Sequence, residues 1–205
     1  MDFKIGIIAD SHGEATGIEK AVSFLKAEGC QAIYHLGDIC DSSYLEETEA
    51  CLNLLQNNRI LAIKGNNDHV ITRYHETHEK LQLSHAQRAY LNQLPLVLEY
   101  GNAVLTHSLP FEQELGLSCM IRPMDETQAR HFFKYFPNKL LFRGHGHDPE
   151  IIASVHRSLD PMPLPVSESV DLGAIHPCIV TCGALTENLC TIWQPVQQKL
   201  ALLRF

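Results

Sequence analysis

The chain has 205 residues, of which 45% are apolar and 20% are charged. This composition is typical of an ordered globular protein and excludes a disordered chain; the length predicts one domain over residues 1–205. The formal net charge of −8 argues against sequence-independent binding to nucleic acid and against binding to an anionic membrane, because both require a basic protein face.

The seven cysteines do not resemble a disulfide framework, since their number is odd and no C-x-x-C pair occurs. They predict reduced thiols in a cytoplasmic protein. The first residues lack a charged region followed by a long apolar run, and no stretch approaches the roughly 20 apolar residues of a membrane span. A soluble, intracellular protein is therefore expected.

Short apolar runs alternate with amphipathic segments, which predicts an α/β fold. Strands are predicted at residues 3–9, 32–36, 60–64, 96–100, 103–106 and 140–143, with a hairpin turn at Gly101-Asn102. Helices are predicted after four capping signals, which begin at Thr16, Ser43, Ser84 and Asp125. Residues 69–83 are polar and aperiodic and predict a long loop. Residues 151–205 predict antiparallel strands that complete a second sheet.

Polar side chains follow five of these strands at their carboxyl ends, where open sheets place ligand sites. Each feature alone has a simpler explanation, such as a capping Asp, a Gly-Asp turn or a histidine satisfied near the core. Two imidazoles at i and i+2 are harder to explain without a ligand. Their joint occurrence indicates a metal site; the segments are Asp10-Ser11-His12, Gly37-Asp38, Gly65-Asn66-Asn67-Asp68, His107 and Gly144-His145-Gly146-His147.

The order of these segments resembles the calcineurin-like metallophosphoesterase superfamily, whose motifs run D-x-H, G-D, G-N-[H/C]-[D/E], a single H and G-H-x-H. The closer likeness is to its small bacterial-type phosphodiesterases and phosphatases, and it spans residues 3–149. The resemblance implies a two-sheet β-sandwich flanked by helices. It implies one metal held by Asp10, His12, Asp38 and His147, a second held by Asp38, Asn66, His107 and His145, and catalytic roles for Asp38, Asn67, Asp68 and His107.

The residue types suit that chemistry. Two neighbouring divalent ions repel each other, so an anionic bridge is needed, and Asp38 would supply it. Oxygen and imidazole ligands without thiolate favour Mn²⁺, with Fe, Zn²⁺, Co²⁺, Ni²⁺ or Mg²⁺ as alternatives. A hydroxide shared by both ions would be the nucleophile on a phosphomonoester or phosphodiester, including a nucleotide. The expected partner is thus a small phosphorylated substrate; a homo-oligomer is compatible with the sequence.

Two departures from the family pattern narrow the substrate. Asn67 stands where the family usually has a His that helps the leaving oxygen depart, and an amide cannot transfer a proton at neutral pH. This favours good leaving groups, such as aryl phosphates or phosphoanhydrides. The segment after Asp38 has no Arg matching G-D-x-x-D-R-G, which disfavours a protein Ser/Thr phosphatase.

Several alternatives stay open. A catalytically weak metal-binding scaffold of the same fold would keep the ligands without useful turnover. His69 is a candidate substitute acid, and Arg73, Arg122 and Arg143 are weak candidates for phosphate contacts. His75 and His78 are candidates for a further ion, and Cys40 for a residue facing the site; plain exposure or plain burial is the simpler expectation for each.

Overall fold

A computed structural model describes residues 3–74, 83–155 and 158–205. Its strands form two six-stranded sheets of mixed direction. The strands are β1 (Ile5–Ile8), β2 (Ala32–His35), β3 (Leu61–Ala62), β4 (Val97–Tyr100), β5 (Ala103–Thr106), β6 (Leu140–Arg143), β7 (Glu150–Ala153), β8 (Met162–Pro163), β9 (Ser169–Asp171), β10 (Cys178–Thr181), β11 (Leu189–Gln194) and β12 (Lys199–Arg204).

The first sheet has the order β3-β2-β1-β11-β12-β9 and the second the order β4-β5-β6-β10-β7-β8. In the first sheet, β1, β2 and β3 run parallel, whereas β11, β12 and β9 each pair antiparallel with their neighbours. In the second, β5, β6 and β10 run parallel, whereas β4 pairs antiparallel with β5, β7 with β10, and β8 with β7. Each sheet therefore has a set of parallel strands whose carboxyl ends lie at one edge.

Six α-helices flank the sheets in the described part of the chain. They are α1 (Ala15–Ala27), α2 (Thr48–Asn57), α3 (Asn66–Tyr74), α4 (His85–Gln93), α5 (Glu112–Leu115) and α6 (Glu126–Tyr135). Short 3₁₀ turns occupy Gly116–Met120, Leu172–Ala174 and Leu185–Glu187.

Side chains alternate between the two faces of each strand, which builds three apolar layers. Ile7 and Leu105 point between the sheets and pack in one cluster with Phe142 and Trp193. The next residue along β1, Ile8, packs on the opposite face against helices α1 to α4. On the outer face of the second sheet, Val104 and its neighbours pack against α6. The result is the predicted two-sheet sandwich with helices on both sides.

The structure confirms two of the four predicted helix starts and corrects the other two. The Ser84 side chain accepts the N–H of Gln87 in a capping box, and Asp125 caps α6 in the same way. Helix α1 begins before Thr16, because the Glu47 carboxylate accepts the N–H of Ala15 and satisfies the helix start from outside. Helix α2 begins at Thr48 and not near Ser43.

The predicted loop at residues 69–83 was wrong over residues 69–74, which continue α3. Its buried face includes Asp68, Ile71 and Thr72, so the pattern of apolar residues alone could not identify it. Residues 75–82 lie outside the described part of the chain, and so do the candidates His75 and His78.

The C-terminal strands were also assigned incorrectly. They do not form one second sheet, because β7, β8 and β10 join one sheet and β9, β11 and β12 join the other. Strand β10 lies parallel to β6, and β11 is inserted beside β1. Both of these strands are buried on both faces, so their sequences carry no alternation that would show which sheet they enter.

None of the described helices combines the length and the apolar composition that crossing a membrane requires.

Candidate metal centre

The carboxyl ends of the parallel strands bring the predicted residues together. In the first sheet, Asp10 and His12 follow β1, Asp38 follows β2, and Asn66 begins α3 after β3. In the second sheet, His107 follows β5, and His145 and His147 follow β6. Backbone hydrogen bonds join the first two loops, from Asp10 N to Gly37 O at 3.1 Å and from His12 N to Asp38 O at 3.0 Å. All seven side chains consequently lie in two adjacent groups.

The first group consists of Asp10, His12 and His147, which offer ligand atoms within 4.8 Å of one another. The two imidazole Nε2 atoms are 3.2 Å apart, and His147 Nε2 lies 3.7 Å from Asp10 Oδ1. The Asp10 carboxylate also accepts the backbone N–H of His145 at 3.0 Å. Burial raises the pKa of Asp10, although the neighbouring histidines oppose this effect.

The second group consists of Asp38, His107 and His145, also within 4.8 Å of one another. His107 Nε2 lies 3.3 Å from His145 Nδ1 and 3.1 Å from Asn66 Oδ1. Burial lowers the pKa of His145 to about 4, so this ring is neutral at neutral pH and its lone pair is available to a cation. Asn66 completes the set predicted for the second ion.

Asp38 lies between the two groups. Its Oδ1 is 3.5 Å from His107 Nε2, and its Oδ2 is 4.0 Å from His12 Nε2. Asn67 holds the carboxylate with both its backbone N–H and its side-chain amide, each at 2.8 Å. Burial alone would raise the pKa of Asp38, but His107 and the Asn67 hydrogen bonds outweigh burial and lower it. The carboxylate is therefore ionised and offers one oxygen to each group.

The hydrogen bonds of His107 test whether the site fits a cation. Its Nδ1 lies 2.8 Å from the carbonyl oxygen of Leu36, which can only accept, so Nδ1 carries a proton and Nε2 is the nitrogen that can bind a cation. That nitrogen faces the carboxylate of Asp38 and the amide oxygen of Asn66. A cation bound there would replace the proton that Nε2 shares with Asp38, and divalent metals bind such a set of oxygen and imidazole ligands. The residues fit.

Five of the seven residues have left-handed backbone conformations: Asp10 (φ 54°), His12 (45°), Asp38 (51°), His145 (65°) and His147 (53°). Asp and His tolerate this region better than most residues, yet it still costs free energy, on the order of 1–2 kcal/mol at each position. Such strain persists only where the surroundings fix the chain, and it concentrates at functional sites. Each sharp turn directs a side chain from a strand end into the space between the groups.

Asp68 lies beneath this centre and does not face it. The side chain is fully buried, and its two oxygens accept the N–H groups of Cys40 (3.0 Å) and Gly65 (2.9 Å). Burial raises the pKa of Asp68 to about 6, and the nearby charge of Asp38 adds to the effect. A Cβ at Gly65 would lie 2.1 Å from both N and Oδ1 of Asp38, so the chain can pass there only as glycine.

Arg143 is buried and cannot contact a phosphate, although it was a candidate for such a contact. Its guanidinium donates to the carbonyl oxygen of Ser108 at 3.1 Å, to the Ser108 hydroxyl at 3.3 Å and to the Thr181 hydroxyl at 2.8 Å. It therefore anchors the residue after His107. Of the other candidates, Arg73 and Arg122 are exposed, His69 is half-buried, and Cys40 is buried.

Sequence reasoning did not identify His35. This buried ring lies 2.9 Å from the hydroxyl of Ser11, which lies between two of the predicted ligands. Burial lowers the pKa of His35 to about 3, so it is neutral. A histidine inside a predicted buried strand, three residues before Asp38, was the available signal.

A cavity of about 610 Å³ opens beside His12. Its walls include Glu14, Lys20, Asp41 and Tyr44. Tyr44 is 44% exposed and lines the cavity, so an aromatic side chain borders it. The cavity has space for an organic group carried by a molecule that reaches the candidate metal centre.

Comparisons with known proteins agree with this architecture. A metallophosphoesterase from Sphaerobacter thermophilus superposes with a TM-score of 0.81 at 20% identity, covering 100% of this chain and 88% of that one. An archaeal phosphodiesterase superposes with a TM-score of 0.54 at 16% identity, covering 98% of each chain. A serine/threonine phosphatase from Saccharomyces cerevisiae gives 0.52 at 14% identity, covering 98% of this chain and 79% of that one. At these identities the similarity establishes the fold.

No curated protein matches the sequence. The model of the calcineurin-like phosphoesterase superfamily domain matches residues 3–160, about three quarters of the chain. That match includes every member of both ligand groups. The chain therefore belongs to the calcineurin-like phosphoesterase superfamily.

Proposed function

We propose that this protein is a phosphoester hydrolase that uses two divalent metal ions, with Mn²⁺ the preferred ion, on a small phosphomonoester or phosphodiester. The observation that carries the proposal is the position of Asp38, whose two oxygens face the two ligand groups separately. Asp10, His12 and His147 would hold one ion with Asp38. Asn66, His107 and His145 would hold the other with the same carboxylate.

When bound, such ions bring the pKa of a coordinated water close to neutrality and offset charge that develops on phosphorus. The protein's part is to place and orient the ligands. Asn67 fixes the Asp38 carboxylate through two hydrogen bonds. The Leu36 carbonyl holds a proton on Nδ1 of His107 and so turns Nε2 toward the centre. Asp68 would act as a positioning residue for the loops around Asp38, because neither of its oxygens reaches the centre.

The cavity beside His12 is the proposed position of the organic group of the substrate. Three carboxylates line the cavity, those of Glu14, Asp41 and Glu47, but only one ammonium does, that of Lys20. This negative charge would repel a chain of further phosphates. Tyr44 offers an aromatic surface against which an aryl or base group could pack. We therefore favour a substrate with one phosphate on a neutral organic group over a polyphosphate.

Asn67 supports a preference for good leaving groups. Its side-chain N–H donates to Asp38, and its oxygen accepts the N–H and the hydroxyl of Ser42 at 3.2 and 2.8 Å. Both ends of the amide are thus used within the protein. Replacing it by histidine would add a proton donor, and general acid catalysis is typically worth about 10²–10⁴-fold. We expect Asn67→His to raise kcat on an alkyl phosphate more than on an aryl phosphate; an equal change on both would contradict this preference.

The proposal is tested by hydrolysis of chromogenic mono-aryl and bis-aryl phosphates. Metal-stripped protein is assayed with and without added Mn²⁺, beside an Asp38→Asn variant of the same shape. We expect turnover that depends on Mn²⁺ and falls at least about 100-fold in the variant, because the amide lacks the bridging charge. Equal rates from the two proteins would exclude hydrolysis at this centre. Full Mn²⁺ binding without turnover by the wild type would favour the metal-binding scaffold.

A further inference from the structure

His12 has both of its ring nitrogens in contact with other groups. Its Nε2 faces the first ligand group, 3.2 Å from His147 Nε2. Its Nδ1, on the far side of the ring, lies 3.3 Å from Oδ2 of Asp41. Both side chains are mostly buried, with exposures of 20% and 25%, so water screens the contact only in part.

The carboxylate oxygen beside Nδ1 attracts a proton on that nitrogen. Asp41 therefore favours the form of His12 that carries its proton on Nδ1 and leaves a lone pair on Nε2. The Leu36 carbonyl has the same effect on His107. For His145 and His147, the second ring nitrogen has no hydrogen bond or ion pair with a described residue.

Asp41 is itself held in place. Its Oδ1 accepts the backbone N–H of Ser43 at 2.6 Å, which leaves Oδ2 for His12. The loops that carry the two side chains are joined by backbone hydrogen bonds, one from His12 N to Asp38 O and one from Gly13 N to Ile39 O, each at 3.0 Å. These hydrogen bonds hold the Asp41 carboxylate at a fixed position relative to the His12 ring.

We propose that Asp41 is a positioning residue that fixes the orientation and the protonated nitrogen of His12, so that Nε2 is presented to a divalent cation in the group of Asp10 and His147. This inference rests on the proposed metal function and extends it to a residue outside both ligand groups. Partners of this kind, which hold the outer nitrogen of a ligating histidine, typically change metal affinity about 10–100-fold when they are removed.

The first test is calorimetric titration of metal-stripped protein with Mn²⁺, comparing the wild type with Asp41→Ala, Asp41→Asn and Asp148→Ala. Asp148 is the matched control, since it is an exposed carboxylate next to His147 and its side chain has no hydrogen bond or ion pair among the described residues. We expect Asp41→Ala to weaken one of the two binding events about 10–100-fold and to leave the other within about threefold. Asp41→Asn should weaken it less, because its amide oxygen still places partial negative charge beside Nδ1. Asp148→Ala should bind like the wild type.

A second measurement needs no variant of Asp41, so it can be made even if Asp41→Ala does not fold. Long-range ¹H–¹⁵N correlation spectra of the metal-free wild type at pH 8 report which nitrogen of each histidine carries the proton, and His12→Gln assigns the signal. We expect His12 to carry it on Nδ1. A proton on Nε2, or Mn²⁺ affinities of Asp41→Ala within twofold of the wild type at both sites, would overturn the inference. A wild type that binds fewer than two ions would instead contradict the proposed function.

Discussion

Replacing Asp68 with alanine removes a buried carboxylate that accepts two backbone N–H groups, those of Cys40 and Gly65. Each N–H left without a partner in the interior costs about 1–3 kcal/mol, so the two together cost about 2–6 kcal/mol. The raised pKa of Asp68 reflects the cost of burying its charge, and the substitution recovers part of that cost. We therefore expect the variant to lose about 2–3 kcal/mol of unfolding free energy.

The measurement is urea denaturation followed by far-ultraviolet circular dichroism in the presence of a chelator, so that bound metal does not contribute. Asp148→Ala serves as the control and should change the unfolding free energy by less than about 0.5 kcal/mol, as exposed substitutions usually do. An Asp68→Ala variant within about 0.5 kcal/mol of the wild type would refute the reasoning. Asp68→Ala should also bind Mn²⁺ more weakly, because Asp68 holds the N–H of Gly65 and Gly65 packs directly against Asp38.

Three further outcomes follow from the packing around the centre. Arg143→Met should lose about 2–4 kcal/mol of unfolding free energy by urea denaturation, because the carbonyl of Ser108 loses its buried donor, and Arg143→Lys should restore only part of it. Gly65→Ala should lower Mn²⁺ affinity in calorimetry more than Gly29→Ala, since its Cβ would overlap Asp38. Gly29→Ala strains only a left-handed position (φ 82°) after α1, with open space beside it. Iodoacetamide at pH 8 should label at most one thiol of the native protein by intact mass, that of Cys30, against seven in denaturant, because the other six are buried.

The seven members of the candidate centre could be predicted because their sequence pattern does not depend on the tertiary fold. The pattern is a buried apolar strand followed directly by Asp, Asn or His, and β1, β2, β5 and β6 all form where predicted. Parallel pairing then brings their carboxyl ends together. All seven cysteines are free in the structure.

What the sequence could not predict depends on contacts between distant segments. The N–H of Ala15 is satisfied by Glu47 rather than by a local cap, so the start of α1 was placed too late. Helix α3 turns a charged residue, Asp68, into the protein interior, which contradicts the ordinary pattern of burial. Arg143 is anchored by Ser108, which follows β5, and by Thr181 in β10. Residues adjacent to Arg143 in the sequence carry no information about these distant partners.

The centre lies across both sheets, and this explains why the packing between them matters to its chemistry. Asp10 and Asp38 come from the first sheet, whereas His107 and His145 come from the second. Hydrogen bonds cross the gap, among them one from His107 Nδ1 to the carbonyl of Leu36 and one from the N–H of His145 to Asp10.

The approach of the two sheets is close, since a Cβ at Gly144 would lie 2.8 Å from the carboxylate of Asp10. Phe142 and Trp193, whose rings are 5.0 Å apart, fill the layer between the sheets. Because interiors are tightly packed and transmit displacement, a change in this layer would move His107, His145 and His147 relative to the ligands that follow the first sheet. The spacing of the ligands is therefore a property of the whole sandwich and not of the loops alone.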